Sequence, residues 1–326
     1  MERVKVAVVG SGNMGQHHVR VYSEMPNVEL VGVVEINELR GHQVAQKYRT
    51  NYFADYRDLF SRVQAVNIVV PTSMHYDLAR EFLENDVHVL VEKPITVDIM
   101  QAKQLVGLAK RRNLVLQVGH LERFNPAVAL LKKMVKNPLY IEAHRLSYPS
   151  RRNNDVGVIW DLMIHDLDIL LNLVDSPVEE VTALGRSLYS PHEDLASVQV
   201  RFTNGCVANL LASRVSGERL RNLQVVEEDG DNVRTMSLDF INQTLAILTP
   251  DNEKQTNPPE YIPIKKEEPL RLELEHFMEC VTTNRTPLVT GEDGKRALEL
   301  AISAVNNMKL VSSQAAFSRA KVAVAG

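Results

Sequence analysis

The glycine-rich turn at residues 10–15 constrains the fold of this chain more than any other feature. It reads GSGNMG and lies between the apolar run VKVAVV and a segment with helical periodicity. In such a turn Gly10 allows the tight bend, Gly12 lets a pyrophosphate approach the backbone, and Gly15 lets helix and strand pack closely. Glu35 follows 20 positions after Gly15, at the end of VELVGVVE. This spacing predicts a strand–turn–helix unit that binds a dinucleotide through the helix N-terminus.

Short apolar runs alternate with helical segments up to about residue 120. Near-continuous apolar strands are typical of a parallel sheet that is covered on both faces. We therefore predict an α/β fold, with a Rossmann-type, doubly wound parallel sheet, for residues 1–120. The predicted strands are VKVAVV, VELVGVV, AVNIVV, VHVLVE and LVLQVG, and the predicted helices include 73–85 and 97–112.

The pattern changes over residues 121–326. After the predicted helix PAVALLKKMVK, the β-rich runs become longer and more polar, as in an antiparallel sheet with one exposed face. Two helices are predicted near 269–281 and 294–310, and the polar connector 251–269 is assigned no regular structure. We expect a C-terminal α+β domain with a large, mostly antiparallel sheet, and disorder in about the last ten residues, from near Ala315.

Composition excludes several classes of partner. The net charge is −4, which gives no broad attraction for nucleic acid or for an acidic membrane. No apolar run approaches membrane-spanning length, and no signal-type segment precedes the first strand. Cys206 and Cys280 form no disulfide or zinc pattern. We expect a cytoplasmic protein without a membrane or nucleic-acid partner.

The predicted dinucleotide site favours NAD. A carboxylate at Glu35 accepts hydrogen bonds from the adenosine ribose and repels a 2′-phosphate. Arg40 is the alternative, because it could pair with that phosphate of NADP. Other expected cofactor contacts belong to the glycine turn and to the start of the segment after the next strand. They are Asn13, Met14, Pro71, Thr72 and His75.

The stretch VHVLVEKPIT brings Glu92 and Lys93 to the carboxyl end of a buried strand. Ligands of open α/β sheets gather at that edge, so both residues are predicted to face the cofactor crevice. Partial burial near other cations would lower the pKa of a lysine toward values useful for acid–base chemistry. The alternative is a lysine that only pairs with Glu92 or with solvent.

The stretch WDLMIHDLDILLN, at residues 160–172, is mostly apolar and carries one narrow polar stripe. On an α-helix, Asp161, His165, Asp168 and Asn172 fall on one side. The stripe has three interpretations: a buried hydrogen-bond network, a metal site, or a catalytic face that lines a cleft. The residues alone leave all three open.

Together these motifs resemble the Gfo/Idh/MocA oxidoreductases. The resemblance covers GSGNMG, Glu35, PTSMH (71–75), EKP (92–94), GHLERFNP (119–126) and DLMIH (161–165). It implies a Rossmann domain that holds NAD and a second domain that supplies the substrate wall and often the oligomer interface. It further implies that Lys93, Asp161 and His165 are catalytic, that Arg123, Asn125 and Asp168 lie near the substrate, and that no metal is required.

The chemistry implied is oxidation of a secondary alcohol. His165 is the candidate base, Asp161 would orient it, and Lys93 would hydrogen-bond to the same substrate oxygen; which of Lys93 and His165 takes the proton stays open.

The substrate is suggested by the finer pattern GHLERFNPAV with SYPSRRNNDVGVIWDLMIHDLDI. It is most similar to the family branch that oxidises the 3-hydroxyl of UDP-linked N-acetylated amino sugars, above all UDP-N-acetylglucosamine. The expected partners are the UDP-linked amino sugar, a pyridoxal-phosphate aminotransferase of lipid A-type diamino-sugar synthesis, and further copies of the chain in a dimer or tetramer. Arg151, beside Arg152, could contact the diphosphate. The alternatives are a dehydrogenase of a free sugar or of a cyclitol such as inositol, an NAD-dependent glycosidase of the same family, and a non-catalytic ligand sensor.

Overall fold

A computed structural model describes residues 3–149, 156–230, 232–249 and 258–310. The chain divides into two compact units. The first comprises Met1–Phe124 and Glu267–Leu298, and the second comprises Asn125–Lys266 and Glu299–Gly326. The sequence predicted one boundary, between residues 120 and 121. The division observed here differs because a late segment of the chain returns to the first unit.

The secondary structure alternates in the first half and is rich in strands in the second. The strands are β1 (Val4–Val9), β2 (Val28–Val34), β3 (Asn51–Phe53), β4 (Ala65–Ile68), β5 (His88–Glu92), β6 (Leu116–Gly119), β7 (Pro138–Leu146), β8 (Val178–Arg186), β9 (Leu195–Phe202), β10 (Val207–Ser213), β11 (Leu220–Asp229), β12 (Asn232–Asp239), β13 (Thr244–Leu248), β14 (Glu260–Ile262) and β15 (Met308–Leu310). The helices are α1 (Asn13–Glu24), α2 (Glu38–Tyr48), α3 (His75–Glu84), α4 (Ile99–Arg112), α5 (Pro126–Met134), α6 (Ile164–Leu173), α7 (Pro269–Thr283) and α8 (Gly291–Asn306).

The first unit is built on a parallel sheet. Among the described residues it has six strands, in the order β3-β2-β1-β4-β5-β6. The strand order reverses between β1 and β4, and in open α/β sheets ligands bind at such a switch point, outside the carboxyl ends of the strands. The predicted α/β Rossmann fold is confirmed, although the short strand β3 was not predicted from the sequence.

Helix α7 explains why the late segment belongs to the first unit. Its buried side chains include Leu274 and Phe277, which share a hydrophobic cluster with Val19 and Tyr22 of α1. Each such aromatic or aliphatic side chain contributes about 1.5–3 kcal/mol when it is removed from water. The apolar face of α7 is therefore stabilised by packing on α1.

The second unit is built on a large mixed sheet. Its described strands follow the order β14-β13-β12-β11-β7-β10-β9-β8-β15. Two pairs, β10 with β7 and β15 with β8, are parallel, and the other pairs are antiparallel. The predicted mostly antiparallel sheet is confirmed, and α5 and α6 contribute to its apolar core. The predicted second C-terminal helix ends at Asn306, and β15 follows it.

Two features of the described chain bear on earlier expectations. No described helix is long and apolar enough to span a membrane. The expected disorder from Ala315 onward and the predicted contact of Arg151 both fall outside the described residues.

Candidate active site

The glycine turn has the backbone that its sequence predicts. Gly10 has a φ of +94°, in the left-handed region, and a Cβ there would lie 2.3 Å from the carbonyl oxygen of Val69. A Cβ on Gly15 would lie 2.0 Å from the carbonyl oxygen of Gly10. A Cβ on Gly12 would meet no atom within 4 Å. Two glycines therefore permit close packing, while the third leaves open space above the start of α1.

A cavity of about 750 Å³ adjoins this turn within the first unit. It lies at the carboxyl ends of the parallel strands, where the fold predicts a ligand. Its lining includes Gly10, Gly12, Asn13, Met14, Glu35, Arg40, Asp55, Tyr56, Arg57, Pro71, Glu92 and Lys93. Asp55, Tyr56 and Arg57 were missed from the sequence, because the three-residue strand β3 that precedes them gave too short a pattern to recognise.

Glu35 directly follows β2 and has a buried carboxylate that accepts hydrogen bonds from four donor groups. Its Oε2 accepts hydrogen bonds from the backbone N–H and the hydroxyl of Ser11, at 3.0 and 2.8 Å. Its Oε1 accepts from the backbone N–H of Asn37 at 2.9 Å and from Arg40 at 2.7 Å. Burial by itself raises the pKa of a carboxyl group, but the hydrogen bonds from Arg40, Asn37 and Ser11 lower the pKa of Glu35 to about 2. The group is therefore charged at any pH near neutrality.

These residues fit a dinucleotide. The open space over Gly12 admits a pyrophosphate against the amides at the start of α1, since helix N-termini favour anions. The charged Glu35 lines the cavity beside Arg40, whose side chain is 45% exposed. Glu35 supplies an acceptor for ribose hydroxyls, and its ion pair with Arg40 offsets part of the positive charge that would attract a 2′-phosphate.

Lys93 follows β5 at the cavity. Its backbone N–H donates to Oε2 of Glu92 at 3.2 Å, and both residues line the cavity. Burial by itself raises the pKa of Glu92, but the His18 ring, the Lys93 ammonium and the Lys93 amide together lower it. The strand thus places a cationic amine and a carboxylate beside each other at the predicted cofactor site.

Pro71 lines the same cavity, whereas Thr72 and His75 lie outside its lining. The His75 ring is buried, with Nδ1 2.8 Å from the carbonyl oxygen of Pro94 and Nε2 2.9 Å from that of Val70. Burial lowers the pKa of this histidine. His75 ties together the segments that follow β4 and β5, and direct contact of Thr72 or His75 with the cofactor stays a prediction.

The second unit carries Asp161 and His165 at an irregular helix start. Residues Ile159–Met163 form a π-helical turn, in which the backbone N–H of Ile164 bonds to the carbonyl of Ile159, and α6 continues from Ile164. The prediction of an α-helix throughout is therefore wrong at this turn. Asp161 and His165 are partly exposed and Asp168 is buried, so the two predicted catalytic groups are the accessible ones. Turns of this kind often occur at functional sites.

A buried ion pair fixes α6 beside His165. Asp166 accepts two hydrogen bonds from the guanidinium of Arg145 on β7, from Nε at 2.8 Å and from Nη2 at 2.7 Å. The ring of Phe240 lies 5.0 Å from the same guanidinium. Sequence reasoning missed this pair, because Asp166 lies within the stretch 160–172 but off its polar stripe, and no sequence pattern links it to Arg145, 21 residues earlier.

The RFNP residues have defined places in the fold. Arg123 is buried in the first unit, 3.5 Å from Oδ1 of Asp293. Asn125 begins α5: its Oδ1 accepts from the backbone N–H of Ala127 at 3.1 Å, and its Nδ2 donates to the carbonyl of Phe240 at 3.1 Å. Their substrate contacts, like those of Asp168, stay predictions.

The fold and the cavity together define a class. A parallel sheet with a glycine turn, an open phosphate position and a charged acid at the second strand is a dinucleotide-binding unit. The chain matches the family model described as "Oxidoreductase family, NAD-binding Rossmann fold" over residues 4–120, and the GFO/IDH/MocA C-terminal domain over residues 140–231. The protein is an NAD-dependent oxidoreductase. It belongs to the Gfo/Idh/MocA family.

Two curated relatives illustrate the range of this similarity. The chain is 35% identical to the UDP-N-acetylglucosamine 3-dehydrogenase of Acidithiobacillus ferrooxidans over 307 residues, which cover 93% of this chain and 96% of that protein. It is 29% identical to a scyllo-inositol 2-dehydrogenase (NAD(+)) of Bacillus subtilis over 94% of each protein. A solved structure of the Acidithiobacillus ferrooxidans enzyme aligns with a TM-score of 0.87 at 34% identity, covering 94% of this chain and 98% of that one.

Proposed function

We propose that this protein uses NAD to oxidise the 3-hydroxyl of UDP-N-acetylglucosamine to the 3-keto sugar. The observation that carries the proposal is the similarity over nearly the whole chain to an enzyme named for that reaction. The cavity beside Glu35 and Lys93 supports it, because it offers a cofactor site next to a cationic side chain at a strand end.

The proposal gives each candidate residue a separate task. His165 takes the proton of the substrate hydroxyl, since an imidazole has a suitable unperturbed pKa. Asp161 orients His165 and stabilises its charged form. Lys93 donates a hydrogen bond to the reacting oxygen, which gains negative charge as its proton leaves and becomes a carbonyl oxygen as the hydride departs. NAD, when bound, supplies the acceptor for the hydride.

Regiochemistry is tested with isotope-labelled substrate. The purified protein is incubated with NAD and UDP-N-acetylglucosamine that carries deuterium at C3, and with the C4-deuterated isomer as the matched control. We expect transfer of deuterium to the nicotinamide, seen by mass spectrometry, only from the C3 isomer. Absence of NADH formation, even with an aminotransferase and an amino donor present to consume the keto product, would contradict the proposal.

The role of His165 is tested by substitution. His165→Ala should bind NADH with normal affinity but turn over at least about a hundredfold more slowly, because general base catalysis is lost. His192→Ala is the control, since His192 is exposed in a loop of the same unit. Turnover of His165→Ala within a few-fold of the wild type would remove His165 from this role.

Similarity to an inositol dehydrogenase supports a second candidate, oxidation of a free cyclitol. Assays with scyllo-inositol and myo-inositol in place of the nucleotide sugar distinguish the two candidates through the ratio of their kcat/KM values. The proposed physiological context is cytoplasmic, in a dimer or tetramer, with the 3-keto product passing to a pyridoxal-phosphate aminotransferase for lipid A-type diamino sugars. A coupled assay with such an aminotransferase tests the transfer of the 3-keto product, and a sedimentation measurement tests the oligomeric state.

A further inference from the structure

A buried chain of polar side chains lies behind Lys93 in the first unit. The Tyr22 hydroxyl donates to Oδ1 of Asn67 at 2.8 Å. Nδ2 of Asn67 lies 2.8 Å from Nδ1 of His18. His18 and Tyr22 lie one turn apart on α1, and Asn67 lies in β4, so the chain crosses from helix to sheet.

The direction of these hydrogen bonds determines which nitrogen of the His18 ring carries the proton. An amide nitrogen can only donate, so Nδ1 of His18 must accept and its proton must lie on Nε2. Nε2 lies 3.2 Å from Oε1 of Glu92, and the ring is fully buried while the Glu92 side chain is 14% exposed. The protonated nitrogen of His18 therefore faces the Glu92 carboxylate.

Glu92 connects His18 to Lys93. Its other carboxylate oxygen accepts the backbone N–H of Lys93. A Cβ on Gly119, which pairs with Glu92 across β5 and β6, would lie 3.1 Å from the same carboxylate, so the side chain rests directly against that glycine. One carboxylate is thus held between a histidine, a glycine and the amide of Lys93.

Other titratable groups also face Glu92. Lys93 follows it in the chain, His75 lies at the start of α3, and Glu273 projects from α7. Burial, together with the charge on Glu92, raises the pKa of Glu273 well above its ordinary value, whereas the pKa of Glu92 is lowered. Its carboxyl oxygens have no hydrogen-bond partner among the described residues. The negative charge of the pair therefore resides on Glu92, beside Lys93.

We propose that His18 is a positioning residue for Lys93: it holds Glu92 charged and oriented, and Glu92 in turn sets the place and the protonation of the lysine. This inference deepens the proposed function, since it rests on a catalytic role for Lys93. It gives a task to a fully buried histidine on the helix that begins at the dinucleotide-binding turn.

The test measures Lys93 without substrate. The rate at which an amine-specific acylating reagent labels Lys93 is followed by mass spectrometry against pH, which gives the titration midpoint of that lysine. His18→Leu removes the donor, so the negative charge on the largely buried Glu92 is less favoured and stabilises the ammonium less. We expect the titration midpoint of Lys93 to fall by about one pH unit. At pH values below the midpoint, Lys93 should then be labelled about tenfold faster than in the wild type.

Three further variants separate positioning from simple structural damage. Glu92→Gln should lower the midpoint similarly, and His18→Leu should then add nothing in the Glu92→Gln background. His18→Gln, which keeps a donor near Glu92, should restore most of the wild-type profile. His88→Leu is the matched control, because His88 lies on β5 and accepts a hydrogen bond from the backbone N–H of Val115. An unchanged midpoint in folded His18→Leu, or additive shifts in the double variant, would overturn the proposal.

A measurement on the wild-type protein covers the case in which His18→Leu does not fold. Long-range ¹⁵N–¹H spectra report which ring nitrogen of His18 carries the proton. We expect Nε2 to be protonated and Nδ1 bare near neutral pH, and a proton on Nδ1 would overturn the inference. Neither readout uses UDP-N-acetylglucosamine, so an enzyme with another substrate would fail the isotope test yet still pass these two.

Discussion

The free energy by which the fold stabilises the charged form of Glu35 can be measured by lowering the pH. Its pKa falls from an ordinary value of 4.5 to about 2, which corresponds to about 3 kcal/mol in favour of the charged form. Because the folded pKa is the lower one, this stabilisation is fully present above about pH 5.5 and is lost as the pH falls toward about 2. At about pH 3.5, the linkage relation gives a loss of about 1.4 kcal/mol.

Glu35→Gln has no charge to lose at this position. The difference in opening free energy between the wild type and Glu35→Gln should therefore narrow by about 1.4 kcal/mol from about pH 6 to about pH 3.5. Native-state hydrogen exchange of β1 and β2 amides measures this difference within the first unit, which a global melt of a two-unit chain would not. Other titrating groups cancel, because they are common to both proteins.

Glu38→Gln is the control for this experiment. Glu38 lies in the first turn of α2, near Glu35 in the chain, but its side chain is 80% exposed. Its free-energy difference from the wild type should not change with pH in the same way. A constant difference for Glu35→Gln between the two pH values would refute the reasoning, because it would mean that the hydrogen bonds to Glu35 do not favour its charged form.

Four further variants, two at the glycine turn and two at the Arg145–Asp166 pair, follow from the geometry. Gly12→Ala should keep the wild-type melting temperature but weaken NADH binding at least about tenfold in a fluorescence titration, because its methyl group would fill the space for the pyrophosphate. Gly15→Ala should instead lower the melting temperature, since its Cβ would contact the carbonyl of the first glycine of the turn. Arg145→Met should destabilise the second unit by about 3–5 kcal/mol, because it leaves the buried Asp166 without the guanidinium that pairs with it. Adding Asp166→Leu should recover much of that loss. Trp160 fluorescence during denaturation measures both effects.

The sequence by itself determined the local parts of the first unit. The turn at Gly10–Gly15 and the acid at Glu35 could be predicted because each lies within one strand–helix–strand segment, where spacing fixes geometry. Parallel strands covered on both faces also leave near-continuous apolar runs, which made most of the sheet recognisable. Lys93 could be placed at a strand end by the same reasoning.

Only the tertiary structure decided the features that join distant residues. Ser11 donates to Glu35 from 24 residues earlier in the chain, α7 returns to pack on α1, and His18 lies against Glu92 between helix and sheet. The π-helical turn before α6 likewise has a partner far along the chain, since the backbone N–H of Ile159 donates to the Glu193 carboxylate. Periodicity reports which face of an element is buried, but which polar side chains meet there depends on how the chain folds back on itself.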